Sequence, residues 1–399
     1  MTASTPKGQP IGLPPREALA PDADTKILKV GIVGAGIGGL AAAMTLLADG
    51  HDVEIFERSE SNDEYGAAIS TPPNSTRILR YYGFDFVRSR ATLAQKYVNI
   101  DPRDISQRES HVVADFEETY GAPWWFFHRS DLHSELKRVA LHLDSSKGNR
   151  ATLRLSNLVV DVTTDGLITL ADGKQVQKDL VVAADGVRSA FISKIHNEGG
   201  ELRHLMDMAR FLIPSERLVA DPISGPILGD EGLASMRIIA NSKCSLVFYG
   251  CRGELIMSIS LAENVGRWKL CVREPLQHLA RGRLVVIGDA AHPMPPVRAQ
   301  GASMAIEDAG TLGVLFSCIR SRGDVEGRLR LYNELRVNRV AAIQTMSAFL
   351  HWDPDKLTEK QVGYFEGNVP LTPEDLENVS YSHNAMGLAY SALQPEAEL

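Results

Sequence analysis

The stretch that most restricts what this chain can fold into runs from Ile27 to Gly50. A mainly apolar, β-branched run from Ile27 to Val33 reads as a buried parallel strand. Gly34, Gly36 and Gly39 then supply G-x-G-x-x-G, and Leu40 to Leu47 continues as an Ala-rich helix that Gly50 can stop. The three glycines act differently. Gly34 allows the tight turn, Gly36 lets a pyrophosphate approach the backbone, and Gly39 brings helix close to strand. The helix N-terminus would meet phosphates with free N–H groups and the positive end of its dipole. The next strand, Val53 to Glu57, ends in an acid near the ~20-residue offset at which a carboxylate accepts ribose hydroxyls. Arg58 has two readings, a partner for a 2′-phosphate or a solvated charge past a strand end.

Length and charge narrow the class. At 399 residues, two domains or one large domain with a subdomain are expected. A net charge of −8 and the absence of a basic stripe argue against a nucleic-acid partner. Cys244, Cys251, Cys271 and Cys318 have no metal-binding spacing and read as reduced thiols, so no metal is expected. Residues 1–26 are proline-rich without the apolar core of a secretion signal, and are assigned to a disordered extension. No apolar run approaches the ~18 residues of a membrane span. The cytoplasm is the expected location, with no membrane partner.

Further along, Glu64 to Ser70 is a small-residue loop that reads either as a plain turn or as backbone lying against a flat ligand. Ser75 to Tyr82 looks helical. Arg129 precedes an amphipathic helix with Leu132, Leu136, Val139 and Leu143 on one face, where its fork can reach an anionic ligand. Leu180 to Ala184 is another buried strand, ending in Asp185-Gly186-Val187-Arg188-Ser189, an arrangement suited to phosphate and ribose. Residues 205 to 260 are β-rich, without metal ligands or a nucleophile–base pair. A last buried strand enters Gly288-Asp289, followed by His292, Pro293, Pro295, Pro296 and a small-residue helix from Gly301-Ala302. There Asp289 can accept hydrogen bonds from a polyol chain. His292 reads as a base or as a loop-shaping residue, and the flanking prolines favour the second. Residues 327 to 350 form a long helix whose Arg328, Arg336 and Arg339 read as a solvated face.

Three separated motifs, Gly34 to Gly39 with Glu57, Asp185-Gly186 with Arg188, and Gly288-Asp289 with Pro293, stand in a fixed order. Their combination resembles the single-component FAD-dependent monooxygenases, in particular the salicylate-hydroxylase-like branch of aromatic and polyketide hydroxylases and epoxidases. The resemblance spans residues 27 to 350. It implies an α/β chain in which a Rossmann-like FAD-binding domain, residues 27–204 and 277–350, interleaves with a β-sheet substrate domain, residues 205–276, with a C-terminal helical segment and a tail, residues 351–399. It further implies that Glu57 holds the adenosine ribose of FAD, that Ala68 and Arg129 contact the cofactor, that Asp289 holds the ribityl chain and that Ala302 lies near the ring. Asp185 and Arg188 would serve the pyrophosphate and a visiting NADPH or NADH. Arg210 and Tyr249 resemble the pair that orients a substrate phenolate. O₂ and an aromatic or polyketide small molecule would be the reactants, in secondary metabolism, with a monomer or homodimer as the working form.

One departure stands out. Family members carry a further strand and helix between the Phe248–Gly253 region and Arg273-Glu-Pro-Leu276, and here that stretch is short. The substrate pocket is therefore expected to lose part of its cover and to waste reducing equivalents as hydrogen peroxide. Two alternatives remain at this level: an FAD-binding protein with impaired or no oxygenation, and an NAD-dependent dehydrogenase.

Overall fold

The computed structural model describes residues 12–61, 68–105, 108–142, 151–196, 201–222, 225–228, 232–241, 245–252, 254–257, 266–349, 351–366 and 368–394. Its first sheet has six strands in the order Ala280–Arg281, Leu284–Val286, Leu180–Ala183, Lys29–Val33, Asp52–Phe56, Thr152–Arg154. All pairings are parallel except that between Ala280–Arg281 and Leu284–Val286. Val30, Ile32, Leu180, Val182 and Val285 are fully buried, which is why these strands read as unbroken apolar runs.

Helix α1, Ile37–Ala48, is buried on nearly every side, so its apolar surface is not confined to one stripe. Of the helices that follow, the longer ones before the C-terminal segment are α2, Pro73–Tyr81; α3, Arg129–His142; α4, Gly301–Phe316; and α5, Val325–Ser347. Helices α1 and α4 touch closely. Thr45 Oγ1 donates to the Ala309 carbonyl at 2.9 Å, and Gly313 leaves room for the Thr45 and Tyr82 side chains.

The second sheet has seven strands in the order Gly266–Val272, Arg203–Pro214, Glu254–Met257, Ser245–Cys251, Ser235–Ala240, Lys96–Ile100, Arg108–Val112. Only Ser235–Ala240 with Lys96–Ile100 is parallel. Two of these strands come from within residues 27–204, a segment assigned whole to the first domain from the sequence. The reason is pairing at long range: Val98 and Ile100 bury alternate side chains on a sheet whose other strands lie far away in sequence. A small sheet of Ala68–Thr71, Trp125–His128 and Thr92–Leu93 bridges the two layers. Of the short middle stretch, Leu261 to Val265 lies outside the described residues, while Gly266–Val272 runs as an edge strand along Arg203–Arg210.

The C-terminal segment holds helices α6, Pro373–Tyr381, and α7, Ala385–Leu393, with Met386 and Ala389 fully buried against the first domain. Two expectations change. The leader is docked from residue 12 onward: Leu19 is buried, and the Lys26 N–H donates to the Ile319 carbonyl at 2.7 Å. Secondly, Arg336 and Arg339 are not a solvated face. Arg336 Nη1 meets Glu307 at 2.6 Å and its Nε meets Asp308 at 2.9 Å; Arg339 Nη2 meets Glu307 at 2.8 Å. α5 is covered on that side by α4 and the C-terminal helices, so its arginines turn inward to two buried acids.

Burial alone would raise the Glu307 and Asp308 carboxyls, but the charges of Arg339 and Arg336 on the first, and of His292 and Arg336 on the second, outweigh it and hold both low. Arg336→Met leaves this cluster one cation short, and urea unfolding should give a loss of about 3–5 kcal/mol. A loss under ~1 kcal/mol, the range of exposed ion pairs, would contradict that role.

Asp49 behaves in the opposite sense. It is buried at the C-terminal end of α1, one carboxylate oxygen has no partner among the described residues, and burial raises its pKa well above the ordinary value. A raised acid binds its proton more tightly when folded, so stability falls as pH rises from about 4 towards the folded pKa. Asp49→Asn should raise the Tm at pH 7 and leave it unchanged near pH 3.5, as measured by thermal unfolding across pH. A lower Tm for the variant at pH 7 would refute this.

Candidate active site

The carboxyl edge of the parallel sheet is where the glycine turn sits. Gly34 has φ +97°, and a Cβ there would lie 2.5 Å from the Ala184 carbonyl oxygen and 3.3 Å from Asp185 Cα. A Cβ on Gly39 would overlap the Gly34 carbonyl. Gly36, the N-cap of α1, has no atom within 4 Å of that position, so open space lies over helix N–H groups that no capping side chain satisfies.

Glu57 closes the edge of this turn. Its Oε2 accepts the Ala35 N–H and its Oε1 the Ser59 N–H, each at 2.9 Å. The carboxylate is half-buried and keeps lone pairs for further donors. On the opposite side, Asp185 Oδ2 accepts the Ala190 N–H at 3.0 Å, while Oδ1 is buried without a partner among the described residues. Burial raises this carboxyl, against hydrogen bonds from Ser189 and Ala190 that lower it. Arg188 is exposed, in a shallow cleft with Leu202 and Arg273, and joins neither acid among the described residues.

A second helix N-terminus converges here. A Cβ on Gly38 would stand 3.4 Å from Ala305 Cβ, and one on Gly288 3.1 Å from the same atom. The first turns of α1 and α4 therefore meet beside the Gly288–Ala290 turn. Asp289 is exposed there and accepts no hydrogen bond from the described residues; Ala302 is half-buried in the first turn of α4. Asp308 Oδ2 fixes the turn from beneath, accepting the Gly288 N–H at 3.0 Å and bonding His292 Nε2 at 2.6 Å. His292 is 1 % exposed, so it braces the proline loop, the second of its two readings.

Ala68 pairs with His128, the residue before Arg129, so the bridging sheet brings Ala68 and Arg129 side by side. Glu64 to Gly66 of the adjoining loop lie outside the described residues. Ala68 also packs on Tyr249 and Cys251 of the second sheet. Arg252 reaches from that sheet to Asp131 and Ser130 in the first turn of α3, and Arg90 joins Asp131 at 2.6 Å. Burial would raise Asp131, but Arg252 and Arg90 hold it low. This clamp between layers was not visible in the sequence, since neither partner stands in a motif.

Tyr249 stacks at a tilt on Phe126, ring centres 4.7 Å apart. Tyr249, Ile256 and Leu212 form one cross-strand row, and Arg210 lies two positions from Leu212 on the same face by register. Arg210 and Tyr249 thus share a sheet face but stand two strands apart; the Arg210 side chain lies outside the described residues.

These features suit a dinucleotide such as FAD: open space over Gly36, an unpaired buried acceptor on Asp185, and a carboxylate free for a polyol at Asp289. Comparisons with known proteins agree. Residues 32–81 match a family model described as an NAD(P)-binding Rossmann-like domain, and residues 265–347 one described as an FAD binding domain. The 3-hydroxybenzoate 6-hydroxylase 1 of Aquipseudomonas alcaligenes is 30% identical over 361 residues, 80% of this chain and 87% of its own. FAD-dependent monooxygenase cfoG of Aspergillus candidus is 29% identical over 419 residues, covering 92% and 95% of the two chains. A salicylate hydroxylase in complex with its substrate shares the fold, with a TM-score of 0.72 and 19% identity over 93% of this chain and 99% of that one. The chain belongs to the FAD-dependent monooxygenases. It is an enzyme with an FAD-binding domain, and the dehydrogenase alternative falls away.

Removing the Glu57 carboxylate takes away the acceptor of the Ala35 and Ser59 N–H groups and the lone pairs left over for a ligand hydroxyl. Glu57→Ala should weaken FAD binding roughly 10- to 100-fold, the equivalent of ~1.5–3 kcal/mol. Flavin titration giving wild-type affinity would remove Glu57 from the site.

Proposed function

We propose that this enzyme uses NADPH or NADH and O₂ to hydroxylate or epoxidise an aromatic or polyketide-type small molecule in secondary metabolism. The observation that carries this reading is the contact of the small bridging sheet with both layers. On one side Ala68–Thr71 lies against α4, which also packs on the Gly288–Ala290 turn; on the other Ala68 packs on Tyr249, whose ring lies over Phe126. Relatives whose names specify hydroxylation, hispidin-3-hydroxylase of Neonothopanus nambi and the 3-hydroxybenzoate enzyme, support it.

In this reading Gly34, Gly36 and Gly39 with the N-terminus of α1 receive the pyrophosphate of FAD, and Glu57 the adenosine ribose. Asp289 receives the ribityl chain, with Ala302, Ala68 and Arg129 around the ring. Asp185 and Arg188 serve the pyrophosphate and the nicotinamide donor. When bound, FAD supplies hydride acceptance and the activation of O₂. The chain supplies position and dryness: Tyr249, its ring held by Phe126, orients a substrate hydroxyl with Arg210, and the bridging sheet shields the junction. Residues 27–204, less the two strands between 96 and 112, and 277–350 would form the FAD-binding unit. The cytoplasm is the proposed location, and a monomer or homodimer the proposed form.

The test measures four quantities in one vessel: donor oxidised, O₂ consumed, peroxide released and oxygenated product formed, with a panel of phenols and hydroxylated aromatic acids. The purified protein should be yellow, a good substrate should accelerate donor oxidation, and product should gain one oxygen atom. Because the stretch before Gly266 is short, peroxide should account for a substantial share of the donor. Donor oxidation that no member of the panel accelerates, with peroxide as the sole product, would overturn the reading.

A further inference from the structure

The proline loop between Asp289 and α4 carries a cation that the functions assigned above leave unused. Arg298 closes the turn Pro296–Arg298, two residues before the N-cap of α4. Its Nε is buried and has no hydrogen-bond partner among the described residues. The five buried arginines differ. Arg77 donates to the carbonyls of Tyr120, Tyr381 and His383; Arg237 to those of Gly232 and Ser235; Arg336 and Arg339 to Glu307; and Arg273, whose Nε is likewise unpaired among the described residues, to that of Val187. Arg298, itself half-buried, has no carbonyl or carboxylate acceptor among the described residues.

Its surroundings are aromatic and hydroxylic. The ionisable groups that act on Arg298 are the phenols of Tyr381 and Tyr97; the Glu377 carboxylate lies behind them, accepting the Tyr97 hydroxyl at 3.3 Å. Ala299, held at φ +55° without being glycine, packs on the cluster of Phe116, Trp124, Phe126 and Tyr381, to which Tyr97 and Tyr249 also belong. One residue further, Gln300 is fully buried. Its Oε1 accepts from Asn74 at 2.9 Å, and its Nε2 has no acceptor among the described residues. Two unpaired donors therefore stand close together on one loop, beside a wall of rings. A buried guanidinium N–H without an acceptor is costly, and an anionic oxygen is the group that relieves it most.

We propose that Arg298 anchors an anionic oxygen on the substrate, so that the enzyme selects planar rings carrying a carboxylate or an ionised phenol or enol. The inference rests on the monooxygenase reading and deepens it. Arg298 is assigned as the charge anchor, Tyr381 as the hydroxyl neighbour of that anion, and the aromatic cluster as the wall for the ring.

The experiment uses FAD-loaded full-length protein. Binding of 3-hydroxybenzoate, its methyl ester, and a nitrophenol that ionises near neutral pH is followed by perturbation of the flavin spectrum, in wild type, Arg298→Lys and Arg298→Met. Wild type should bind 3-hydroxybenzoate or the nitrophenolate at least ten-fold more tightly than the ester. Arg298→Met should weaken the preferred anion roughly 10- to 100-fold and the ester little; Arg298→Lys should fall between, keeping charge but losing the fork. Which anion binds better distinguishes a carboxylate from a phenolate as the group held. FAD affinity, titrated separately, should be the same in all three proteins. The proposal is overturned if wild type fails to prefer either anion to the ester, if Arg298→Met leaves that preference intact, or if it lowers FAD affinity, which would assign Arg298 to the cofactor. The comparison of anion with ester in wild type needs no variant, so a poorly folding substitution does not blunt the test. Colourless protein, or no substrate-dependent donor oxidation, would instead count against the monooxygenase reading itself.

Discussion

Two adjacent acids inside α4, Glu307 and Asp308, hold the arrangement on which the site depends. Both are fully buried, and each is answered by Arg336 from α5. Taking carboxylates out of water costs several kcal/mol each unless partners and hydrogen bonds are well placed. Asp308 uses its other oxygen on the Gly288 N–H and His292, so the turn carrying Asp289 is set by the same charge balance that seats α5. Glu307 accepts from Asn74 on α2 and from Arg339, which in turn donates to the carbonyls of Val379 and Ser380. Site loop, two core helices and the C-terminal segment therefore share one electrostatic knot.

Above that knot the chain presents few charges to the site and many backbone N–H groups. The N-termini of α1 and α4 converge where Gly38, Gly288 and Ala305 touch. Their dipoles favour negative charge within the first turn of each helix. The acids around them are differentiated by setting: Glu57 is half-buried and braced by two backbone N–H groups, Asp185 is half-buried with one oxygen buried and unpaired among the described residues, and Asp289 is exposed. Carboxylates thus offer three different acceptor environments along a single sheet edge.

The motifs legible in the sequence are those whose constraints are local. A glycine forced to φ +97° at Gly34, an acid at the end of the following strand, and an Asp-Gly pair after a buried run all declare themselves within a few residues. What stayed hidden depends on partners distant in sequence. Arg336 and Arg339 look like a wetted face until Glu307 and Asp308 are brought beneath them. Lys96–Ile100 gives no sign that its neighbour will be Ser235–Ala240. Arg298 has no signature at all, because its distinguishing property is the absence of an acceptor, which only packing reveals. The Val340–Ala341–Ala342–Ile343 run just after Arg339 was the one available hint that α5 is enclosed.

The interleaving of the two sheets also dictates an order of events during synthesis. Lys29–Val33 and Leu180–Ala183 can pair as soon as both have left the ribosome. The strand that covers the outer edge, Leu284–Val286, is made only after every strand of the second sheet. Until then Leu180–Ala183 presents an open, apolar edge, the kind of surface that recruits another chain. A nascent or truncated protein ending before residue 284 is therefore not a smaller nucleotide-binding unit but an incomplete one, and its remedy is whatever shields that strand until the rest arrives.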